Sequence, residues 1–306
     1  MVNRPLLQEF ADAAHRDGLT PCLFSVTQEA ADHAVELGWH AQRVAAEAVI
    51  DLAALRFRGR QWQDVRTARN QAAKQDVTCL LGPLADQPRA IQEQVREIST
   101  RWVEDKGLPE LGFTLGGVEE AMHPQVRVGV GVDSHGVVHG VTSWMPIHAA
   151  SGEVVGRTLD VMRRRPAGFR YAMEHLISSA CLTFQSEGYR WVSLSAVPLS
   201  APVGPGEPPT RGPVDAFLDR LATNLEPYYG FRSLHAFKAK FHPRFEPLYL
   251  VFPDEAALPR IGMALSRAYL PTAGLRDLPA LATSGHRPAL PGHPRRRFRP
   301  RTVVHH

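Results

Sequence analysis

A chain of 306 residues, 44% hydrophobic and 22% charged, has room for one large globular domain or two of ordinary size. No apolar run approaches a membrane span, no secretory leader opens the chain, and Cys22, Cys79 and Cys181 are spaced for neither zinc nor a disulfide framework, which points to a reducing cytoplasm. The net charge of +4 is local: residues 271–306 hold seven arginines against Asp277, leaving 28 basic and 30 acidic residues in the body.

The chain opens with a helical stripe of Leu6, Leu7, Phe10 and Ala14, followed by a strand over Pro21–Val26 and a helix over Gln28–Leu37 that Gly38 closes. Strand character returns over Val44–Leu52. A helix over Gln61–Lys74 turns Trp62 and Val65 inward and gathers Arg66, Arg69, Asn70 and Lys74 at helical spacing. Ile91, Val95, Ile98 and Trp102 mark a long amphipathic helix. The pattern breaks at Lys106-Gly107-Leu108-Pro109, where a domain boundary between residues 108 and 109 is expected.

The second unit begins at Gly112–Gly117. Strands over Val126–Val132 and Val137–Trp144 flank a hairpin turn at Asp133-Ser134-His135-Gly136, and a third strand spans Val154–Met162. A helix follows, with Phe169, Met173, Leu176, Ile177, Ala180, Cys181 and Phe184 on one face, then a strand over Trp191–Ala196. A Pro/Gly-rich loop to Pro213 and a helix carrying Val214, Phe217, Leu218, Leu221 and Leu225 come next. Period-two alternation in Phe237-Lys238-Ala239-Lys240-Phe241 suggests a strand with both lysines on one face, either an anion site or a lysine-guarded sheet edge. A strand over Leu248–Phe252 and a helix over Glu255–Arg267 complete the unit, and the Arg-, Pro- and Gly-rich residues 271–306 read as a disordered basic tail. The order of elements is that of a GNAT-type acyltransferase, an α/β fold with a mixed sheet.

The cations of the body cluster in three places. Arg56–Lys74 holds six against one acid, Arg157–Arg170 five against one, and Arg232–Arg244 four against none, a distribution suited to an anionic partner. Arg165-Pro166-Ala167-Gly168-Phe169-Arg170 stands where an acetyl-CoA enzyme of this fold holds pyrophosphate, but Arg170 replaces a small residue there. Asp160 and Arg163 suggest an acid–base couple at a strand end, either for an ammonium and an ester or as a structural ion pair. Gly129-Val130-Gly131 leads into a hairpin and not a helix, so it is no dinucleotide loop. Ser193 and Ser195 lie in no nucleophile elbow, the histidines lack metal-ligand spacing, and Trp102, Trp144 and Trp191 read as core.

Taken as an ordered set, several segments resemble the synthase region of the multiple peptide resistance factor family, the aminoacyl-phosphatidylglycerol synthases. They are Glu47–Leu52, Arg66–Asn70, Phe113-Thr114-Leu115-Gly116, Asp160-Val161-Met162-Arg163, Pro198-Leu199-Ser200, Tyr228-Tyr229, Phe237–Phe241 and Phe245-Glu246-Pro247. The resemblance covers residues 5–270. It implies tandem GNAT-like domains, residues 1–108 (incomplete at the start) and 109–270, without the family's membrane-embedded flippase region. It also implies transfer of an amino acid from aminoacyl-tRNA to the hydroxyl of a lipid such as phosphatidylglycerol, in the setting of antimicrobial-peptide resistance. No metal or cofactor beyond the tRNA co-substrate is implied.

On that resemblance Arg66, Arg69 and Lys74 would meet tRNA, and Asp160 with Glu226 would hold the α-ammonium. Arg163 would orient the ester, and Lys238 and Lys240 would stabilise the oxyanion or hold the acceptor's phosphate. Tyr229, Phe231, Arg165 and Arg244 complete the expected substrate contacts. The basic tail suggests contact with an anionic membrane, placing a cytoplasmic protein peripherally on the inner membrane face. Three other readings stay open: a soluble amine, hydroxylamine or alcohol as acceptor, a CoA-dependent acetyltransferase, and a non-catalytic RNA- or membrane-binding module.

Overall fold

The computed structural model describes residues 4–106, 113, 116–198 and 231–269. Its strands are β1 (Leu23–Val26), β2 (His40–Asp51), β3 (Thr78–Gly82), β4 (Arg127–Val132), β5 (Val138–His148), β6 (Val154–Arg164), β7 (Trp191–Pro198) and β8 (Arg244–Phe252). They form one mixed sheet in the order β1-β8-β2-β7-β6-β5-β4-β3, so strands from both sides of residue 108 interleave. All described neighbours are antiparallel except β6 and β7. The helices are α1 (Arg4–Arg16), α2 (Gln28–Glu36), α3 (Gln63–Lys74), α4 (Arg89–Lys106), α5 (Val118–Ala121), α6 (Ala172–Ser186), α7 (Phe231–Ala239) and α8 (Leu258–Tyr269).

Alternation along the strands sorts the core onto two faces. On the first, Trp144, Leu159, Val192 and Leu194 pack with Val65 of α3, Ile177 and Phe184 of α6, and Phe241. Gly140 lets α6 sit this low, since a Cβ there would stand 2.6 Å from the Met173 methyl. The second face is divided. Val128, Val141 and Val161 meet Val95 and Ile98 of α4 at one side. Leu248, Leu250 and Phe252 meet Ile261 of α8 at the other.

The segment Phe237–Phe241 is not the expected strand. It is the end of α7 and a turn, with His242 at φ +47 before β8 begins at Arg244. Leu234, Phe237 and Phe241 lie three and four apart, so a helical stripe fits them as well as a period of two. Ala and Lys favour the helix, and Pro243 sets its limit. β3 lies where no strand is expected, although Val77–Leu81 is a short, mostly apolar run. The expected helix over Val214–Leu225, the preceding loop beyond Pro198 and the basic tail lie outside the described residues.

Candidate functional site

The strands β6 and β7 pair in parallel over only three positions, Gly156 with Trp191, Arg157 with Val192 and Thr158 with Ser193. Both then bulge and part. On β6, Thr142 faces Met162 and Trp144 faces Leu159, so Asp160 and Val161 together oppose Ser143. On β7, Glu47 faces Ala196 and Val49 faces Ser193, leaving Leu194 and Ser195 opposite Ala48, with Ser195 at φ +68. The result is a notch between neighbouring strands of a continuous sheet.

The β6 bulge decides where the expected acid–base couple points. In a regular strand residues three apart lie on opposite faces. Here Leu159 and Met162 face the first side, while Val161 packs with the α4 cluster and Arg163 reaches α4 itself. Asp160 is on that second side too, accepting a 2.8 Å bond from the Gly116 N–H. Asp160 and Arg163 therefore share a face within β6, not at the turned strand end expected. Arg163 is 5% exposed, donates to Ser99 Oγ and stacks its guanidinium 4.8 Å from the Trp102 ring centroid. Trp102, expected in the core, is half-buried and serves as a platform for an arginine.

Gly116 is required by this geometry, because a Cβ at that position would overlap the Asp160 carboxylate. The rest of the Phe113–Gly116 motif is described only at Phe113, which packs edge-on against Tyr269 at 5.4 Å. We expect Gly116→Ala to lower transfer by about tenfold through displacement of Asp160. The assay would be read beside a melting curve. Unchanged kinetics in a folded variant would show that the Asp160 position is not critical.

Lys238 and Lys240 diverge instead of forming one cationic face. Lys238 is 3% exposed and donates to the carbonyls of Ser195 (3.2 Å) and Ala196 (3.0 Å), in the parted stretch of β7. Burial pushes its pKa down to about 7, and the nearby Glu47 carboxylate acts in the opposite sense. Lys240 instead forms a 2.8 Å ion pair with Glu174 of α6 and lies 5.3 Å from the Phe237 ring centroid. A helical rotation separates the two amines that a strand would have aligned.

Between the two apolar clusters of the second face runs a polar strip. Register places Glu246 of β8, Glu47 of β2 and Ala196 of β7 in one row, with Asp160 across the notch and Arg163 on the same face. In the sequence Glu47 stands out only as part of the Glu47–Leu52 motif. The signal that could have singled it out is a carboxylate flanked by Ala45, Ala46 and Ala48, all buried.

Arg244 is held by Glu246 at 2.6 Å. Arg165 donates to the Val138 carbonyl (2.6 Å) and Gln94 (3.1 Å) and pairs with Glu97 at 3.7 Å, so its guanidinium ties β6 to β5 and α4. The expected pyrophosphate turn is likewise filled. The Phe169 N–H donates to His139 Nδ1 (3.0 Å), and His139 Nε2 bonds Asp133 at 3.0 Å. That turn has no open N–H at Phe169 for a CoA phosphate.

On α3, Arg66 and Lys74 are exposed. Arg69 lines an open cavity of about 550 Å³ with Arg56, Arg58, Leu182 and Gln185. Glu226 and Tyr229 lie outside the described residues, as does the side chain of Phe231. Among the described residues no cluster of His, Cys, Asp and Glu is arranged to hold a metal, and no helix is long and apolar enough to cross a membrane.

Residues 2–252 match the family model described as phosphatidylglycerol lysyltransferase, C-terminal. A Corynebacterium glutamicum protein of uncharacterised function is 42% identical over 265 residues, 87% of this chain and 33% of its own length. The lysylphosphatidylglycerol biosynthesis bifunctional protein LysX of Nocardia farcinica is 26% identical over 280 residues, 91% of this chain and 24% of its own. The chain thus spans a third or less of these curated relatives. Among solved structures, the C-terminal domain of a putative lysylphosphatidylglycerol synthetase from Agrobacterium fabrum superposes with a TM-score of 0.70 at 23% identity, covering 88% of this chain and 79% of that one. The shared fold is the mixed α/β one expected from the order of elements.

Proposed function

The chain belongs to the family of phosphatidylglycerol lysyltransferase C-terminal regions, and from that premise we propose that it moves an aminoacyl group from aminoacyl-tRNA to the hydroxyl of a membrane lipid such as phosphatidylglycerol. The observation that carries this reading is the notch between β6 and β7. There Asp160 and Arg163 share one face of β6 beside a parted section of sheet, and the buried Lys238 amine caps two carbonyls of the β7 side.

The donor ester is already activated, so catalysis needs positioning and charge stabilisation more than a strong base. The acceptor oxygen bonds to the aminoacyl carbonyl carbon, the bond to the ribose oxygen breaks, and the acceptor's proton ends on the released ribose hydroxyl. In this scheme Asp160 receives the α-ammonium, Arg163 orients the ester, and the Lys238 amine supports the oxyanion. Arg56, Arg58 and Arg69, with Arg66 and Lys74 on the outer surface of α3, supply phosphate contacts for the tRNA, which should weaken steeply with salt. The filled turn at Phe169 argues against acetyl-CoA as donor.

The test is transfer of labelled amino acid from charged total tRNA into a lipid extract, with and without ribonuclease. Label should reach lipid only while the tRNA is intact. Transfer that survives ribonuclease would remove tRNA as donor, and transfer to soluble amines or alcohols without lipid would move the acceptor to that class.

A further inference from the structure

We propose that two buried serine hydroxyls, Ser143 on β5 and Ser193 on β7, are positioning residues of the transfer site. Each closes one of the two bulges that open the notch between β6 and β7. The inference rests on the functional reading above and adds two residues to which that reading assigns no role.

A bulge sets two residues against one and disrupts the ladder locally, so a backbone N–H there needs another acceptor. On β6 the Val161 N–H donates to Ser143 Oγ at 2.9 Å. Ser143 is the single residue that Asp160 and Val161 together oppose, and it is fully buried. On β7 the Ser195 N–H donates to Ser193 Oγ at 2.8 Å, and Ser193 is again fully buried. Ser195 stands at φ +68, a conformation that a non-glycine residue keeps only where its surroundings hold it. Ser193 faces Thr158 in the parallel pairing of β6 and β7, so its hydroxyl sits where the two strands part.

The two hydroxyls govern different parts of the site. With the β6 bulge in place, Asp160 and Arg163 share the second face, whereas regular pairing would return them to opposite faces. Ser143 thereby sets the pair that receives the donor, with Asp160 on the Gly116 N–H and Arg163 on Ser99. The β7 bulge instead presents the Ser195 and Ala196 carbonyls to the Lys238 amine. Ser193 thereby sets the direction of the lysine.

The test compares Ser143→Ala and Ser193→Ala with Ser178→Ala, a control in which an equally buried hydroxyl bonds the His175 carbonyl within α6. Amide exchange read by NMR should quicken on the order of tenfold at Val161 in Ser143→Ala and at Ser195 in Ser193→Ala. Transfer would be measured below the melting temperatures, from free and from N-acetylated aminoacyl-tRNA. In Ser143→Ala, kcat/KM for the free donor should fall about tenfold, and the preference over the acetylated donor should narrow. In Ser193→Ala, kcat should fall about tenfold while KM and that preference stay at wild type. Ser178→Ala should keep the wild-type rate. Cysteine at 143 or 193 keeps the shape with a weaker acceptor, so those variants should fall between and serve if an alanine variant does not fold.

Unmoved exchange at Val161 and Ser195 overturns the proposal. So does a Ser143→Ala that loses both donors in equal proportion, or a Ser193→Ala no slower than the Ser178→Ala control. A wild-type chain inert with every donor would instead sink the functional reading, and the exchange rates would still decide whether the serines hold the bulges.

Discussion

Lys238→Met is expected to lower aminoacyl transfer by about 100-fold, the loss typical of removing one oxyanion donor. Methionine nearly matches the lysine stem in volume, so the substitution removes the charge and its two hydrogen bonds without opening a large cavity. Two stability effects oppose each other. The Ser195 and Ala196 carbonyls lose their cap, at a cost of about 1–3 kcal/mol, while the burden of burying an ammonium disappears. The fold should therefore survive and the rate loss should be chemical.

The pH dependence of stability supplies an independent check. An unfolded lysine titrates near 10.5, and folded Lys238 near 7. Between these values the unfolded chain binds one more proton than the folded chain, so wild-type stability should rise with pH across that window. The rise should flatten in Lys238→Met. Lys240→Met should behave differently, leaving the nearly buried Glu174 carboxylate without its partner and lowering the melting temperature more than the rate. If Lys240→Met loses transfer while Lys238→Met keeps it, the roles of the two lysines must be exchanged.

Much of the fold was legible because its elements are long and periodic. Helix α6 shows seven apolar residues at helical spacing, and β4 and β5 flank an Asp-Ser-His-Gly turn. Local pattern failed where two periods coincide in a short window. From Leu234 to Phe241 the apolar residues satisfy both, and only the packing of α7 against the sheet selects the helix.

The site was legible as chemistry and not as geometry. Asp160 and Arg163 stood out as charges beside a strand, but their shared face depends on a bulge set by the pairing of β6 with β5. The place of Glu47 in the polar strip is invisible in sequence because it is set by pairing with β7 and β8, which are remote along the chain. Arg165 is hard to read from sequence for a related reason. A basic residue at a strand-to-helix turn looks the same whether it meets a phosphate or, as here, Gln94, Glu97 and the Val138 carbonyl.

Asp160→Asn should have the largest effect, a fall in kcat/KM for aminoacyl-tRNA of about 1,000-fold, within the range for losing one partner of a desolvated charge pair. The asparagine oxygen can still accept the Gly116 N–H that Asp160 now accepts at 2.8 Å, so the loop before α5 should keep its place. What disappears is one negative charge on the second face, opposite Glu47 across the notch. If that charge receives the α-ammonium, the wild type should discriminate strongly against N-acetylaminoacyl-tRNA, whose amide nitrogen carries no charge. Asp160→Asn should discriminate far less, because its remaining activity no longer depends on the charge. A wild type that uses acetylated and free donors equally well would remove Asp160 from ammonium recognition. The carboxylate would then be a holder for the Gly116 loop, and Asp160→Asn, which keeps that bond, should stay near wild type while Gly116→Ala shows the modest loss.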